Sequence, residues 1–238
     1  KLKMQFYKKP NQNTYMFACD NSYLLNHGIS CLNSAIKTNN NIHCHVLNPN
    51  DKSLKILNQI INKNKNVSLS ISEEKRKSKL NKNYYAKIRF EVLEDILKHC
   101  SKIAVIDTDS IFIKSAMDIF KYDLGIHERN LSGPNERARV LAGFLLISNK
   151  CNEFIKILQE EQKAIGDFWF SDQIAVARTI IKYKECQEFL KIKYCKIPLS
   201  YIDYTFQNNS YIWSGKGERK NKDKNYVAKL NQYKKTEP

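Results

Sequence analysis

Two carboxylates, Asp107 and Asp109, stand one residue apart directly after an apolar run over residues 103–106. Side chains alternate along a strand, so both carboxylates are expected to point the same way and Thr108 the other way. Two anions placed side by side repel each other unless a cation lies between them. Carboxylate oxygens suit a hard divalent cation, so this spacing predicts a metal site.

The elements that must position this pair are those of a layered α/β fold. An apolar run such as 103–106 is typical of a strand buried on both faces, and ligands of such sheets bind beyond the carboxyl ends of the strands. Strands are predicted over 15–19, 42–47, 67–71, 103–106 and 142–148, and helices over 25–36, 52–62, 85–96, 152–165 and 171–184. This alternation predicts a mostly parallel sheet flanked by helices.

The chain is long enough for one substantial core, and no linker rich in Gly, Ser or Pro divides its 238 residues. We expect one domain over 1–213 and a basic segment over 214–238 that forms a flexible lid or a disordered tail. The 40 Lys and Arg against 24 Asp and Glu give a formal charge of +16. This excess indicates attraction to nucleic acid, an anionic membrane or phosphorylated substrates, and a solvated lysine-rich surface explains it equally well.

Cysteine and histidine provide no clear metal or disulfide signature. The seven cysteines include no CxxC spacing, which favours reduced thiols in a cytosolic protein. His43 and His45 flank Cys44, but alternation sends both imidazoles to one face, so a half-buried strand is favoured over a metal site. With no apolar run long enough to span a bilayer and no visible signal peptide, we expect a cytoplasmic location, with possible peripheral contact at the inner face of an anionic membrane.

Five further segments carry motif-like residues: FACDNSY at 17–23, YAKIR at 85–89, VLAGFLLI at 140–147, SDQ at 171–173 and IWSGKG at 212–217. In this order, and together with the Asp-Thr-Asp tripeptide, they resemble the GT-A-fold glycosyltransferases, most of all the retaining enzymes of family 8. The resemblance runs from about residue 15 to 220. It implies a GT-A catalytic domain over 1–213 with 214–238 as its basic lid or tail.

The resemblance assigns roles at a nucleotide-sugar site. Asp107 and Asp109 would hold Mn²⁺ or Mg²⁺ between the two phosphates of the donor, where the metal stabilises charge on the leaving nucleotide. Asp20 and Tyr23 would hold the base and ribose, although Tyr23 is equally consistent with a core aromatic. The other residues placed at the donor are Ala18 and Thr108.

Basic residues are expected to offset the phosphate charge. Lys87 stands where the family has an arginine, and its alternative is a solvated helix face. Lysine keeps the charge but not the bidentate fork. Lys216 is assigned to the donor, and Arg219 and Lys220 belong to the same C-terminal segment, which would close over the diphosphate.

The resemblance also predicts catalytic residues. Asp172 would orient the sugar and its acceptor, and Gln173 would line the face where oxocarbenium-like charge develops; the structural alternative for Asp172 is a helix N-terminus. Two departures stand out: Leu141 replaces a polar residue, and no histidine follows His127 to act as third metal ligand. Water or another side chain then completes the coordination, or the chain belongs to a neighbouring GT-A family.

These assignments predict a hexosyltransferase that moves a sugar from a nucleoside diphosphate donor, UDP-linked, to a hydroxyl of a glycan or lipid-linked saccharide, with retention implied by the resemblance. A haloacid-dehalogenase-type phosphatase is the chemical alternative, with Asp107 as nucleophile, Asp109 as acid/base, and Asp167 and Asp172 imitating its late acidic motif. A non-enzymatic nucleic-acid-binding protein is the second alternative, but none of the usual motifs is present, so no nucleic-acid partner is expected.

Overall fold

The computed structural model of the protein describes residues 3–74, 82–166 and 168–234. Asp167, which the phosphatase alternative uses, lies outside the described residues. The same holds for residues 1–2 of the predicted domain and 235–238 of the predicted tail.

Strands and helices alternate through the first half of the chain, as the apolar pattern predicts. The strands are β1 (Met4–Lys8), β2 (Asn13–Asp20), β3 (Ile42–Leu47), β4 (Val67–Ser72), β5 (Lys102–Ile106), β6 (Ser110–Phe112), β7 (Leu124–Glu128), β8 (Val140–Ser148), β9 (Tyr194–Lys196), β10 (Ile202–Asp203) and β11 (Ile212–Ser214). The helices are α1 (Asn21–Tyr23), α2 (Ile29–Lys37), α3 (Asp51–Lys63), α4 (Lys82–Glu91), α5 (Leu93–Leu97), α6 (Asn152–Ile165), α7 (Ser171–Lys184), α8 (Arg219–Lys222) and α9 (Lys224–Lys234). A π-helical turn at Leu24–Gly28 joins α1 to α2, and 3-10 turns occur at Met117–Lys121, Glu136–Ala138 and Gln187–Lys191.

Within the described residues, eight strands form the central sheet in the order β1-β4-β3-β2-β5-β8-β7-β9. The pairs among β2, β3, β4 and β5 are parallel, and β8 runs antiparallel to β5 and β7. Parallel strands need crossover connections, which α2, α3 and α4 with α5 supply. The predicted α/β fold with a mostly parallel, helix-flanked sheet is confirmed.

Apolar side chains cover both faces of the sheet. One layer centres on Tyr15, Phe17 and Leu32 on the side of α2 and α3, and the other on Met16 and Val105 on the side of α4 to α7. Burial on both faces explains the continuous apolar runs. The long helix predicted over 85–96 is divided, because the chain turns at Val92 between α4 and α5.

The histidines of β3 lie in a fully buried strand, so the prediction of a half-buried strand is wrong. His43 and His45 are both 0% exposed. Their four ring nitrogens lie 2.8–3.0 Å from serine hydroxyls on β4, and Ser70 bridges the two rings. We call this chain, Ser68–His43–Ser70–His45–Ser72, the histidine–serine ladder. Each neutral imidazole has one donor and one acceptor nitrogen, so the ladder satisfies both rings without a metal.

The C-terminal residues form ordered structure as far as residue 234. Strand β11 pairs with β6 and β10 in a small sheet, and α9 packs against α2. Tyr226 of α9 is fully buried. The Ser30 hydroxyl donates to the Leu230 carbonyl at 3.0 Å, which ties α9 to α2. Among the described residues, no helix is long and apolar enough to cross a membrane.

Candidate active site

A cavity of about 600 Å³ opens beyond the carboxyl ends of β2 and β5. It lies at the edge where the apolar run predicts a ligand site. The lining residues are Ala18, Cys19, Asp20, Ser22, Tyr23, Ala86, Arg89, Asp107, Thr108, Asp109, Leu141, Ala142, Gly143, Phe168, Trp169, Phe170, Ser171, Asp172, Gln173, Gly215, Lys216, Gly217 and Lys220. The site residues predicted from the sequence are among them, except Lys87 and Arg219.

Asp107 and Asp109 both line the cavity, although not for the reason given by strand alternation. Strand β5 ends at Ile106, and the pair sits in a tight turn closed by the Ser110 amide, which donates to the Asp107 carbonyl at 3.1 Å. Thr108 also borders the cavity, and its hydroxyl donates to the Ala18 carbonyl at 3.2 Å, which fixes the turn to β2.

Arg89 of α4 is the buried cation at the cavity floor. Its guanidinium donates to Asp107, to Asp172 at 2.9 Å and to the Ala142 carbonyl at 3.2 Å. Burial alone would lower the pKa of Arg89, but Asp107 and Asp172 raise it. One side chain therefore holds a carboxylate of the β5–β6 turn and a carboxylate of α7 in one arrangement.

Lys87 does not reach the cavity, which corrects its predicted place at the donor. Its ammonium donates to the carbonyls of Gln162 at 3.1 Å and Gly166 at 2.7 Å, so it holds the end of α6. Residues two apart point to nearly opposite sides of a helix, so Lys87 and Arg89 cannot share one face of α4. The site cation of this segment is Arg89, to which the sequence reasoning assigned no role.

Asp109 is buried and already paired. Its Oδ2 accepts from the Tyr23 hydroxyl at 2.9 Å and from the Lys220 ammonium at 2.6 Å. Burial raises the pKa of Asp109, and Asp107 raises it further, while Lys220 and Tyr23 act against them. The backbone carbonyl of Asp109 accepts from the buried Tyr226 hydroxyl at 2.7 Å, so helix α9 helps to hold the turn between β5 and β6 in place.

Asp20 and Tyr23 line another wall of the cavity, where strand β2 ends and helix α1 begins. The Asp20 carboxylate accepts from the Tyr23 amide at 2.7 Å and so caps the helix. The Tyr23 ring is 36% exposed, while its hydroxyl is committed to Asp109. Asp20 Oδ2 therefore remains for a ligand, whereas the Tyr23 ring already contacts the His27 ring at 4.7 Å and has the Lys220 ammonium 5.1 Å from its centroid.

Asp172 and Gln173 begin helix α7. The Asp172 Oδ2 accepts from Arg89, and its Oδ1 accepts from the Gln173 amide at 2.9 Å. Burial raises the pKa of Asp172, and the positive charge of Arg89 acts to lower it. The Gln173 side-chain amide donates to the Arg137 carbonyl at 3.2 Å. Arg89 thus holds Asp172 and Asp107 together at the floor of the cavity.

Three aromatic residues precede α7 and were not singled out in the sequence. Phe168 and Trp169 are 38% and 59% exposed, although both border the cavity. Phe170 has a φ of 70°, a left-handed conformation that non-glycine residues rarely adopt. This sharp turn starts α7, so the backbone strain is tied to the placement of Asp172.

The C-terminal segment supplies the remaining wall. Lys216 borders the cavity, and burial together with Arg129 lowers its pKa. Ser214 lies nearer the acidic pair, and its hydroxyl is 3.5 Å from Asp107 Oδ2. A Cβ at position 215 would lie 2.6 Å from the Tyr226 hydroxyl, so the close approach of the chain to α9 directly after β11 requires glycine there.

The protein side chains at the cavity supply only some of the ligands that a hard cation needs. Among the described residues, no group of three or more His, Cys, Asp or Glu could hold a metal ion. Asp107 and Asp109 provide hard carboxylate oxygens, and the Asp107 side chain is 31% exposed. A Cβ at position 143 would lie 2.5 Å from Asp107 Oδ2, so glycine there leaves room for this carboxylate. The remaining ligands would be hydroxyl, water or phosphate oxygens, all of which suit Mg²⁺ or Mn²⁺.

Comparison with known proteins agrees with the architecture. No protein-family model matches the chain, and no curated protein matches it in sequence. Among solved structures, the bifunctional glycosyltransferase WbbM aligns with a TM-score of 0.64 at 12% identity, over 98% of this chain and 50% of that one. GlyE of Streptococcus pneumoniae TIGR4 aligns with a TM-score of 0.58 at 16% identity, over 97% of this chain and 61% of that one.

The galactosyltransferase LgtC, solved with donor and acceptor sugar analogues, aligns with a TM-score of 0.63 at 14% identity, over 94% of this chain and 97% of that one. The chain thus spans about half of WbbM and nearly all of LgtC. At these identities the likeness establishes the fold alone. The protein has the GT-A glycosyltransferase fold, as the sequence resemblance predicts, and its place in family 8 stays a prediction.

Proposed function

We propose that this protein is a glycosyltransferase that moves a hexose from a nucleoside diphosphate, UDP in the first instance, to a hydroxyl group of a glycan or lipid-linked saccharide. The observation that carries the proposal is the acidic pair Asp107 and Asp109 at the rim of a 600 Å³ cavity in a GT-A fold. Each carboxylate is held by a cationic side chain, Arg89 or Lys220. Carboxylates held in this way are ready to exchange a protein cation for a bound one.

The site has room and chemistry for a nucleotide sugar. Asp20 and Tyr23 would take the base and ribose at one wall, and Lys216 would face the diphosphate at the other. Asp107 and Asp109 would hold Mn²⁺ or Mg²⁺, which when bound neutralises the phosphates and stabilises the leaving nucleotide. In this arrangement the Lys220 ammonium, which donates to Asp109 Oδ2, would turn to a phosphate oxygen of the donor.

The sugar would lie between the metal pair and the start of α7. In the reaction, the bond between the anomeric carbon and the diphosphate oxygen breaks, and a bond to the acceptor oxygen forms. The Arg89 guanidinium favours the charged form of Asp172 and fixes its position, so Asp172 would orient the sugar and stabilise positive charge at the ring. Gln173 would line the same face. Retention of configuration is part of the proposal through the resemblance to family 8.

The exposed aromatic rings suggest the acceptor class. Phe168 and Trp169 border the cavity and are partly exposed to solvent. Rings of this kind pack against the apolar faces of sugars and exclude water, which would otherwise hydrolyse the donor. This feature favours a saccharide acceptor over a small alcohol.

A screen of nucleotide sugars tests the proposal. Release of UDP is followed with Mn²⁺, with Mg²⁺ and with EDTA, each with and without a panel of glycan acceptors. We expect metal-dependent release from one UDP-sugar, reduced at least about 100-fold in D109N. The matched control is D118N, which removes a carboxylate that does not border the cavity. Equal release in D109N and the wild type would contradict the proposal.

The fold counts against both alternative functions. A phosphatase of the haloacid-dehalogenase type normally opens with the strand that carries its nucleophile, whereas four strands precede β5 here. A nucleic-acid-binding role finds no support in the fold comparison, since the matching structures described above are glycosyltransferases.

A further inference from the structure

Three cations surround one aromatic ring beside the cavity. The guanidinium groups of Arg129 and Arg219 lie 5.6 and 5.3 Å from the centroid of the Tyr204 ring, and the Lys216 ammonium lies 5.7 Å from it. Arg129 follows β7, whereas Lys216 follows β11, so separate parts of the fold converge here. We call Arg129, Lys216 and Arg219 the Tyr204 cluster. Because Lys216 borders the cavity, the cluster adjoins the candidate active site.

In the part of the chain that the structure describes, no carboxylate forms an ion pair with the Tyr204 cluster, although the charges of Asp107 and Asp172 act to raise the pKa of Lys216. Across residues 3–74, 82–166 and 168–234, none of its three cations forms an ion pair. The acidic residues next to it in sequence are committed elsewhere. Glu128 and Glu218 each pair with another lysine at 2.5 Å. Asp203 accepts hydrogen bonds at 2.6–2.8 Å from amides and hydroxyls of its own loop.

Gathering like charges without an anion is unfavourable. The Tyr204 ring offsets part of the repulsion through its negative face, because each cation lies within about 6 Å of the centroid. The cluster also affects its surroundings, since burial followed by the charges of Arg129, Lys196 and Lys216 lowers the pKa of His127, against the effect of its hydrogen bond to Ile197. A bound anion would relieve this repulsion, which makes the cluster a site for negative charge.

The donor does not need all of this charge. A nucleotide sugar carries two negative charges on its diphosphate, and a divalent cation held by Asp107 and Asp109 would balance them. The other cavity cations are matched already, Arg89 by Asp107 and Asp172, and Lys220 by Asp109. Lys216 is the member of the cluster that borders the cavity, so the two arginines remain for a second anion.

We infer that Arg129 and Arg219, beside the Tyr204 ring, bind an anionic group of the acceptor, so that the acceptor is a saccharide carrying a phosphate or carboxylate. This inference rests on the proposed function, because it concerns the acceptor side of the same site. Guanidinium groups match both oxyanions through paired hydrogen bonds. The bound anion would hold the acceptor with its hydroxyl toward the sugar and Asp172.

Binding of inorganic phosphate tests the cluster directly. Phosphate is titrated into protein saturated with UDP and Mg²⁺, with binding followed by calorimetry. We expect phosphate to bind alongside UDP and its affinity to fall about 10-fold or more in R129Q/R219Q. K52Q/K55Q is the matched control. It also removes two positive charges, but from exposed lysines of α3, neither of which borders the cavity. R219Q alone, on an exposed helix, replaces the double variant if that variant fails to fold.

Three further arms identify the source of the anion. Glucose 6-phosphate should bind more tightly than glucose in the wild type and lose this advantage in R129Q/R219Q. Displacement of phosphate by UDP would overturn the inference, because the cluster would then serve the donor. Binding to anionic phosphatidylglycerol vesicles without binding of soluble phosphate would also overturn it, in favour of a lipid headgroup. Unchanged phosphate affinity in R129Q/R219Q would refute the cluster itself, whereas absence of UDP binding would count against the proposed function alone.

Discussion

Mild acid should weaken the fold through the histidine–serine ladder. His43 and His45 lie in the second strand of the parallel core, with no solvent exposure, and each ring bonds to two serine hydroxyls on β4. Ser70 serves both rings, since a hydroxyl can donate one hydrogen bond and accept two, which suits two neutral imidazoles. Protonation gives each ring two donors and places buried positive charges within one ladder. We therefore expect the folded state to exclude these protons.

The sign and size of the effect follow from the pKa values. Burial lowers the pKa of His43 and of His45 to about 3, and the mutual repulsion of the two rings contributes for His43. In the unfolded chain the pKa is about 6.5, so between these values only the unfolded state binds the proton. Stability is therefore full above about pH 6.5 and falls as the pH decreases. From pH 7 to 5 each histidine contributes a loss of about 2 kcal/mol in the free energy of unfolding, and the pair about 4 kcal/mol.

Urea unfolding at half-unit steps from pH 7.5 to 4.5 measures this dependence. Other groups titrate over the same range, including His27, whose pKa is lowered to about 4 by burial and by Lys220. The comparison is therefore between the wild type and H43Q/H45Q, which keeps hydrogen-bonding side chains but cannot take up the protons. H99Q is the control for an imidazole outside the ladder, because His99 is only partly buried and makes the smallest contribution to the lowered pKa of His43. The double variant should lose most of the pH slope and H99Q should keep it.

A second readout covers the case in which H43Q/H45Q does not fold. Carbon and nitrogen chemical shifts of the two imidazoles in the folded wild type should remain those of neutral rings down to pH 5. Titration of either ring near pH 6.5, or equal pH slopes in wild type and H43Q/H45Q, would refute the reasoning.

Other predictions concern the cavity and its supports. R89K should lower kcat/KM for transfer about 10- to 100-fold, because an ammonium cannot bridge Asp107 and Asp172 as the guanidinium does, and steady-state kinetics would measure this. G143A places a Cβ 2.5 Å from Asp107 Oδ2 and should weaken Mn²⁺ binding in the presence of UDP at least about 10-fold by calorimetry. Y226F removes the bond to the Asp109 carbonyl and should lower the free energy of unfolding by about 1–2 kcal/mol in urea. Peripheral membrane contact stays a prediction from charge, and vesicle flotation without recruitment at low salt would rule it out.

The parallel half of the fold was predictable because its strands are buried on both faces. Strands β2 to β5 and β8 have five to nine residues, long enough for their pattern to be recognised. They are mostly apolar, and polar residues within them form hydrogen bonds with neighbouring strands, as those of β3 and β4 do. Strands β6, β9, β10 and β11 have only two or three residues, so no periodicity can develop within them. Their positions depend on tertiary pairing, as does the seating of α9 on α2.

The site was predictable where one short segment carries the chemistry. Asp107 and Asp109 face one cavity because a turn follows β5, and the spacing alone could not distinguish this turn from a continued strand. Lys87 and Arg89 are about 200° apart around α4, so choosing between them requires knowing which face of the helix covers the sheet. The burial of His43 and His45 likewise depends on serines 25 to 27 residues away in sequence.

The central claim is that Asp107 and Asp109 hold a divalent cation against a nucleoside diphosphate. Anomalous diffraction from crystals grown with Mn²⁺ and UDP tests it most directly. The account predicts a manganese peak in contact with both carboxylates and the diphosphate, with the Lys220 ammonium moved from Asp109 to a phosphate. UDP bound in the cavity with no manganese at the acidic pair, and with Lys220 still on Asp109, would contradict it.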